Sequence, residues 1–328
     1  MKNYIIRYAS LALAILGVVA CSEEHETAPS QDAKSTPMSF VVTHPGQTRA
    51  TATAFERNDR IGLYVADVNA PLELGGNLVN NEALTFDGNK WAASRTLFWD
   101  KGSFNAYAYY PYINGISSIT DQPFSVSTDQ RTAKTATALG GYEASDLLFA
   151  TSKKIMASVS PIRLTFKHIM SKLKIRLIKG EDFEGDMPTT ATVYIHNTVP
   201  TATVDLQVGV ATRYVKGTRQ TIIARQDGDT SYSAIIVPQR IDNRQPLIEV
   251  VMNGVSYLFE SKFQFKPGTE HLVNLIISDN PDKVKIDIGG EIQDWQYLYL
   301  NEENNLHIVS RSAGTYPMGS SFMAAALW

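Results

Sequence analysis

The sequence predicts an all-β chain of the sandwich kind. Three observations carry that prediction. Short runs of period-two alternation recur along the chain, Gly, Pro, Asn and Asp separate them, and long helical periodicity is absent.

From the N-terminus, the first segment reads as an export signal rather than as part of the fold. Lys2 and Arg7 precede an apolar stretch from Leu11 to Val19, and Ala20-Cys21 supplies a small-residue cleavage point, so residues 1–20 have the anatomy of a secretory signal. The stretch is too short to span a bilayer. Val18-Val19-Ala20-Cys21 resembles the lipobox of bacterial lipoproteins, which implies that Cys21, the only cysteine, carries lipid. An isolated free thiol in a secreted chain fits poorly with the alternative of an ordinary buried cysteine. Acyl chains hold a protein on a membrane at roughly 0.8 kcal/mol per buried methylene, so two or three anchor it stably. Ser22 to Glu26 resembles the acidic signal that sends lipoproteins of the Bacteroidales to the cell surface, and reads equally as a solvated tether. From Ser22 to Pro37 there is no large apolar residue, so this stretch lacks the surface to fold.

Met38, Phe40 and Val42 then put apolar side chains on one side of a short strand, which His44-Pro45-Gly46 breaks. Gln47-Thr48-Arg49-Ala50 follows as a polar segment of the type proteases cut. Residues 21–49 are therefore expected to form a tether and a removable first strand.

The first well-marked domain strand is Ile61-Gly62-Leu63-Tyr64. In Phe104 to Tyr112, Tyr107 and Tyr109 alternate with Ala106 and Ala108, giving one bulky face and one small one. The tyrosines read as a stacking platform for sugar rings or, preferably, as core packing with hydroxyls at its edge. The polar stretch around Thr151 to Ser160 marks a division, so two β-domains are expected, at residues 50–158 and 159–295.

In Arg163 to Leu177 the apolar residues change parity between Met170 and Leu173, which predicts a bulge or bend and turns His168 inward. A core histidine bonded to backbone is preferred there over a metal or catalytic role, because no second ligand stands at a suggestive spacing. Strands are expected at Thr192–Ile195, Val204–Val208, Ser233–Val237 and Leu272–Ile276. Asn253-Gly254, flanked by β-rich runs, predicts a tight hairpin. Asp227-Gly228-Asp229 reads as a hairpin turn, since the later ligands of a calcium loop are missing.

Composition narrows function. The chain is 44% hydrophobic and 19% charged, which is globular. Its formal charge is -3, and removing the signal takes Lys2 and Arg7 with it, leaving -5. Without a basic patch, a nucleic-acid partner is not expected. HExxH spacing, a GxSxG elbow, a Walker loop and CxxC pairs are all missing from the sequence. No catalytic residue, metal or cofactor is expected, although a carboxylate pair assembled by the fold leaves no local spacing to read.

Further residues carry a resemblance. Phe55 with Asp59 to Tyr64, Trp91, Phe98-Trp99, Ala106 to Pro111, Ser145 to Leu148, Phe166-Lys167-His168 and Lys172-Leu173 resemble the fimbrillin-like family of Bacteroidales. Pro267 to His271 and Ile292-Gln293-Asp294-Trp295 fit its C-terminal half. The resemblance implies two tandem transthyretin-like, Greek-key β-sandwich domains in a surface lipoprotein of the type V pilin class. It also implies maturation by an arginine-specific protease, with Arg49 and Ala50 at the matching position.

The expected function is therefore a non-enzymatic pilus subunit, exported as a lipoprotein, cleaved after Arg49 and polymerised by strand exchange. Its partners would be other pilin subunits, the outer membrane through the lipid, and a host or microbial surface ligand; its place would be the cell surface, in the fimbrium. Residues 296–328 form a tail in which Leu298, Leu300, Leu306 and Ile308 are candidate donor-strand positions. The same tail reads alternatively as folded back or disordered. The rival function is a lipid-anchored adhesin or glycan-binding module that never polymerises, using the tyrosines near Tyr109.

Overall fold

A computed structural model describes residues 36–45 and 55–293. The first half holds β1 (Phe40–Thr43), β2 (Arg60–Asp67), β3 (Val79–Phe86), β4 (Trp91–Ala92), β5 (Ser103–Tyr110), β6 (Gln122–Ser125), one helical turn α1 (Gly141–Ser145), β7 (Leu148–Met156), β8 (Ile162–Thr165) and β9 (Lys167–His168). The second half holds β10 (Ser171–Lys179), β11 (Thr192–Thr198), β12 (Thr201–Asp205), β13 (Val210–Arg213), β14 (Gln220–Ile223), β15 (Arg225–Gly228), β16 (Ser231–Ile236), β17 (Gln239–Met252), β18 (Val255–Phe265), β19 (Thr269–Ile277) and β20 (Lys285–Gln293).

The all-β class predicted from alternation is the class observed. A six-stranded sheet runs β4-β3-β2-β5-β7-β9, with the pair β1-β8 beside it. The later strands form a five-stranded sheet β15-β16-β10-β19-β20 and a four-stranded sheet β14-β11-β17-β18, while β13-β12-β6 makes a third small sheet.

Two apolar clusters fill the spaces between these layers, and the six-stranded sheet serves both. Ile61, Leu63, Val65, Ala106, Ala108, Leu148 and Ala150 belong to the first cluster. Their neighbours Tyr64, Ala66, Tyr107, Tyr109 and Phe149 belong to the second, with the strands after β9. This explains the large-and-small alternation of β5. Its small face packs under Trp99 and Phe166, and Tyr107 and Tyr109 fill the other core. Tyr109 is 2% exposed, and its hydroxyl is 2.5 Å from Asn81 Oδ1 and 3.1 Å from the carbonyl of Ile113. Directly across the ladder stands Gly62, where a Cβ would lie 2.3 Å from the Tyr109 ring, so only glycine leaves room for it.

The parity change after Arg163 has a different cause from the one expected. Ile162, Leu164 and Phe166 pack in the first cluster, whereas Ile169, Met170, Leu173 and Ile175 pack in the second. The chain crosses from one core to the other there, and no single bulge within one strand is involved. Past Ser158, then, three apolar side chains still serve the first core. The run Val204–Val208 also differs from expectation. It is interrupted by a turn in which Asp205 Oδ1 accepts hydrogen bonds from the amides of Gln207 and Val208, and Gly209 takes φ +70. The Asn253-Gly254 hairpin is present between β17 and β18, with φ 51 and 78.

Candidate functional site

The segment from Thr36 to His44 lies against the first core like an inserted stave. On one side Met38 donates its amide hydrogen to the Leu97 carbonyl at 2.8 Å, and Trp99 donates to the Thr36 carbonyl at 3.0 Å. On the other side Ile162 donates to Ser39 at 2.8 Å and Phe166 to Thr43 at 2.9 Å. Between those bonds β1 runs parallel to β8, in register Phe40 to Ile162 through Thr43 to Thr165. Backbone groups beside a core need such partners, so both flanks depend on this segment as much as it depends on them.

Side-chain alternation does the rest. Met38 is buried, Phe40 and Val42 are half-buried against the first cluster, and Val41 faces outward at 39% exposure. Beneath them lie Trp99, Ile162, Leu164 and Phe166, all nearly inaccessible. The Trp99 indole donates from Nε1 to the Ser158 carbonyl at 3.2 Å, which fixes the ring under the strand.

At the strand's end the His44 ring meets Phe55 edge-on at 4.9 Å between centroids and His168 at 6.1 Å. Burial pushes the His44 pKa down to about 4, His168 adds to that, and Asp146 and Asp59 oppose it. His168 is held through Nδ1 by Asp146 Oδ1 at 2.8 Å. Its partner is thus a carboxylate rather than the backbone group expected from sequence. Phe55 resumes the described chain and is locked in a ring cluster with Trp91 at 4.9 Å and Tyr110 at 5.3 Å. A firmly seated strand and a firmly seated domain start therefore flank residues 46–54.

Arg49 and Ala50 fall in that interval and lie outside the described residues, as do Cys21, Leu298, Leu300, Leu306 and Ile308. Sequence reasoning missed the role of His44 and the Leu97–Trp99 flank. Phe98-Trp99 was visible as an aromatic pair, but nothing local linked it to Pro37, with which Phe98 forms an antiparallel bridge. Among the described residues no helix is long and apolar enough to cross a membrane, and no group of three His, Cys, Asp or Glu is placed to hold a metal ion.

Comparison with known proteins follows the same lines. Solved structures that share the fold include two from Bacteroides. One is a Bacteroides ovatus protein provisionally described as a cell adhesion protein, with TM-score 0.62 and 19% identity over 80% of this chain and 98% of that one. The other, from Bacteroides uniformis and described likewise, has TM-score 0.60 and 21% identity over 79% and 99%. A Bacteroides uniformis protein provisionally named fimbrium subunit Fim1C is 24% identical over 312 residues, 90% of this chain and 96% of its own length. A Bacteroides ovatus protein provisionally named fimbrium tip subunit Fim1C is 25% identical over 229 residues, 62% of this chain but only 41% of that larger protein. Residues 48–295 match the family model described as fimbrillin-like, so the chain belongs to the fimbrillin-like family.

Proposed function

We propose that this protein is a fimbrial subunit that assembles by exchanging its first strand. It is exported as a lipoprotein on Cys21, cut between Arg49 and Ala50, and freed of the segment carrying Met38, Phe40 and Val42. An extended segment of a neighbouring subunit then takes the vacated seat. The observation that carries this reading is the seat itself. A strand joined to the body through residues 46–54 is bonded on both flanks to chain far away in sequence, and lies on a preformed apolar floor.

Removing the strand leaves unpaired backbone on β8 and on Leu97–Trp99, and uncovers apolar side chains. Such an edge is a template for a strand from another chain. A replacement strand gains roughly 1.5–3 kcal/mol for each side chain it fully buries. Because donor and seat are different parts of the subunit, the contact is head-to-tail and open-ended, which yields a fibre. Leu298, Leu300, Leu306 and Ile308 are the donor positions we assign. The partners are other pilin subunits, the outer membrane before processing, and a surface ligand of host or microbe; the site of action is the cell-surface fimbrium.

The test is treatment of the purified precursor with an arginine-specific protease. A new N-terminus at Ala50 together with a ladder of oligomers supports the proposal. An uncut Arg49, or cut protein that stays monomeric under all conditions, overturns it. A second reading, a lipid-anchored adhesin that never polymerises, draws on the description of structural relatives as cell adhesion proteins. Protein recovered from cells with Cys21 as its only N-terminus would favour that reading.

A further inference from the structure

An open cleft of about 910 Å³ lies between the chain entering β2, the end of β5, the loop before α1, and Arg225 on β15. That is the size of small-molecule sites, roughly 300–1,000 Å³. Three features restrict its occupant.

The first is charge. Lys134 is held by Glu56 at 2.9 Å and Asp59 at 2.8 Å, Arg225 by Glu143 at 2.9 Å, and His168 by Asp146 at 2.8 Å. Cations and carboxylates are equally numerous in the lining. A phosphate or sulfate site presents a surplus of cations, whereas here four carboxylates match the four Lys and Arg side chains, and Lys134 and Arg225 are ion-paired.

The second is the aromatic wall. Tyr112 is half-buried beside the cleft, with the Arg60 guanidinium 4.5 Å from its ring centre. Arg225 covers Tyr142 at 3.6 Å. Flat rings next to polar groups suit a ligand with both CH faces and hydroxyls.

The third is a hydroxyl that opens onto the cleft. Tyr110 is only 7% exposed and lines the cleft, yet its hydroxyl bonds to no described residue. Burial drives its pKa strongly upward, so the group is a neutral donor and acceptor. The hydroxyl is nevertheless open to the cleft, since the buried side-chain polar atoms left without a partner among the described residues are Thr201 Oγ1 and Ser233 Oγ. Glu143 and Asp146 each also have an oxygen beyond the one that holds Arg225 or His168.

The geometry points to a binding site for a neutral oligosaccharide, with a sugar face against Tyr112 and hydroxyls meeting Tyr110, Glu143 and Asp146. Cleavage at Arg49 would take His44 out of the lining but leave every residue named here, so the site stands or falls separately from the assembly proposal. It moves the sugar platform considered from sequence along the same aromatic cluster, away from Tyr107 and Tyr109, which are core residues, to Tyr110 and Tyr112.

The test is an array of neutral, sialylated and sulfated oligosaccharides, probed with the full chain and with protein cut after Arg49, followed by titration calorimetry on the strongest binder. The expected result is binding to neutral glycans in at least one form. Tyr112→Ala should weaken it roughly tenfold or more and Tyr110→Phe severalfold, with thermal midpoints unchanged. Binding confined to acidic glycans, binding indifferent to both substitutions, or no binding by either form overturns the inference.

Discussion

The described residues contain two parallel strand pairs, and they are built to opposite ends. β1 and β8 match over four residues in a sheet of their own. β10 and β19 match over eight, from Lys172–Glu270 to Lys179–Ile277, with β16 bonded to the outer side of β10 and β20 to that of β19. On the first pair's leading strand the two inward residues, Phe40 and Val42, are both only half-buried. On the second pair Leu173, Ile175, Leu177, Val273, Leu275 and Ile277 are all buried. Parallel pairing is slightly weaker per residue than antiparallel and favours coverage on both faces. Identical geometry can therefore make a well-buttressed joint or a lightly held one, depending on how many neighbours share it.

The sharpest way to break the comparison is to damage the buttressed pair. Lys172 Nζ sits 2.7 Å from Glu270 Oε2, with side-chain exposures of 5% and 13%. Lys172→Met leaves a buried carboxylate alone and should lower unfolding free energy by about 3–5 kcal/mol in urea titration. Adding Glu270→Leu should return most of that loss. Leu275→Ala, at a fully buried position, should cost about 2–5 kcal/mol in the same assay. Val42→Ala on the leading strand should cost only about 1 kcal/mol. It should speed hydrogen exchange at the β1 amides while leaving β10 and β19 protected. Equal losses from Leu275→Ala and Val42→Ala would erase the distinction.

Acid separates the pairs most gently. Each has a histidine kept neutral by burial: His44 at the end of β1, with its pKa near 4, and His271 in β19, also lowered. His271 Nε2 accepts a hydrogen bond from the Lys266 amide at 3.1 Å, which a proton there would abolish. Free histidine titrates near 6.5, so the unfolded chain takes up the proton first. Stability from these groups is complete above about pH 6.5 and drains away as pH falls, for His44 toward 4. His44→Leu should flatten the acid dependence of exchange at the β1 amides. The acid dependence of the global melting midpoint should persist through His271.

Strand content was legible because alternation and turn chemistry are local. Asn253-Gly254 announces its hairpin through two residues that tolerate positive φ. Pairings between distant segments leave no such trace. Phe40 reads the same whether its neighbour is Ile162 or solvent, so a leading strand could be suspected from Met38, Phe40 and Val42, but its parallel seat could not. Tyr107 and Ala106 revealed two unlike faces, yet not that both are interior, because period two reports only that the faces differ. His168 likewise signals inward direction, while Asp146, brought from 22 positions away, does not.

The double-faced six-stranded sheet has one more consequence. Since β2 and β5 lend alternate side chains to separate interiors, melting either interior strips a wall from the other. Heating should thus produce one calorimetric transition whose van't Hoff and measured enthalpies agree. A gene encoding either half alone should yield material that fails to reach a native state.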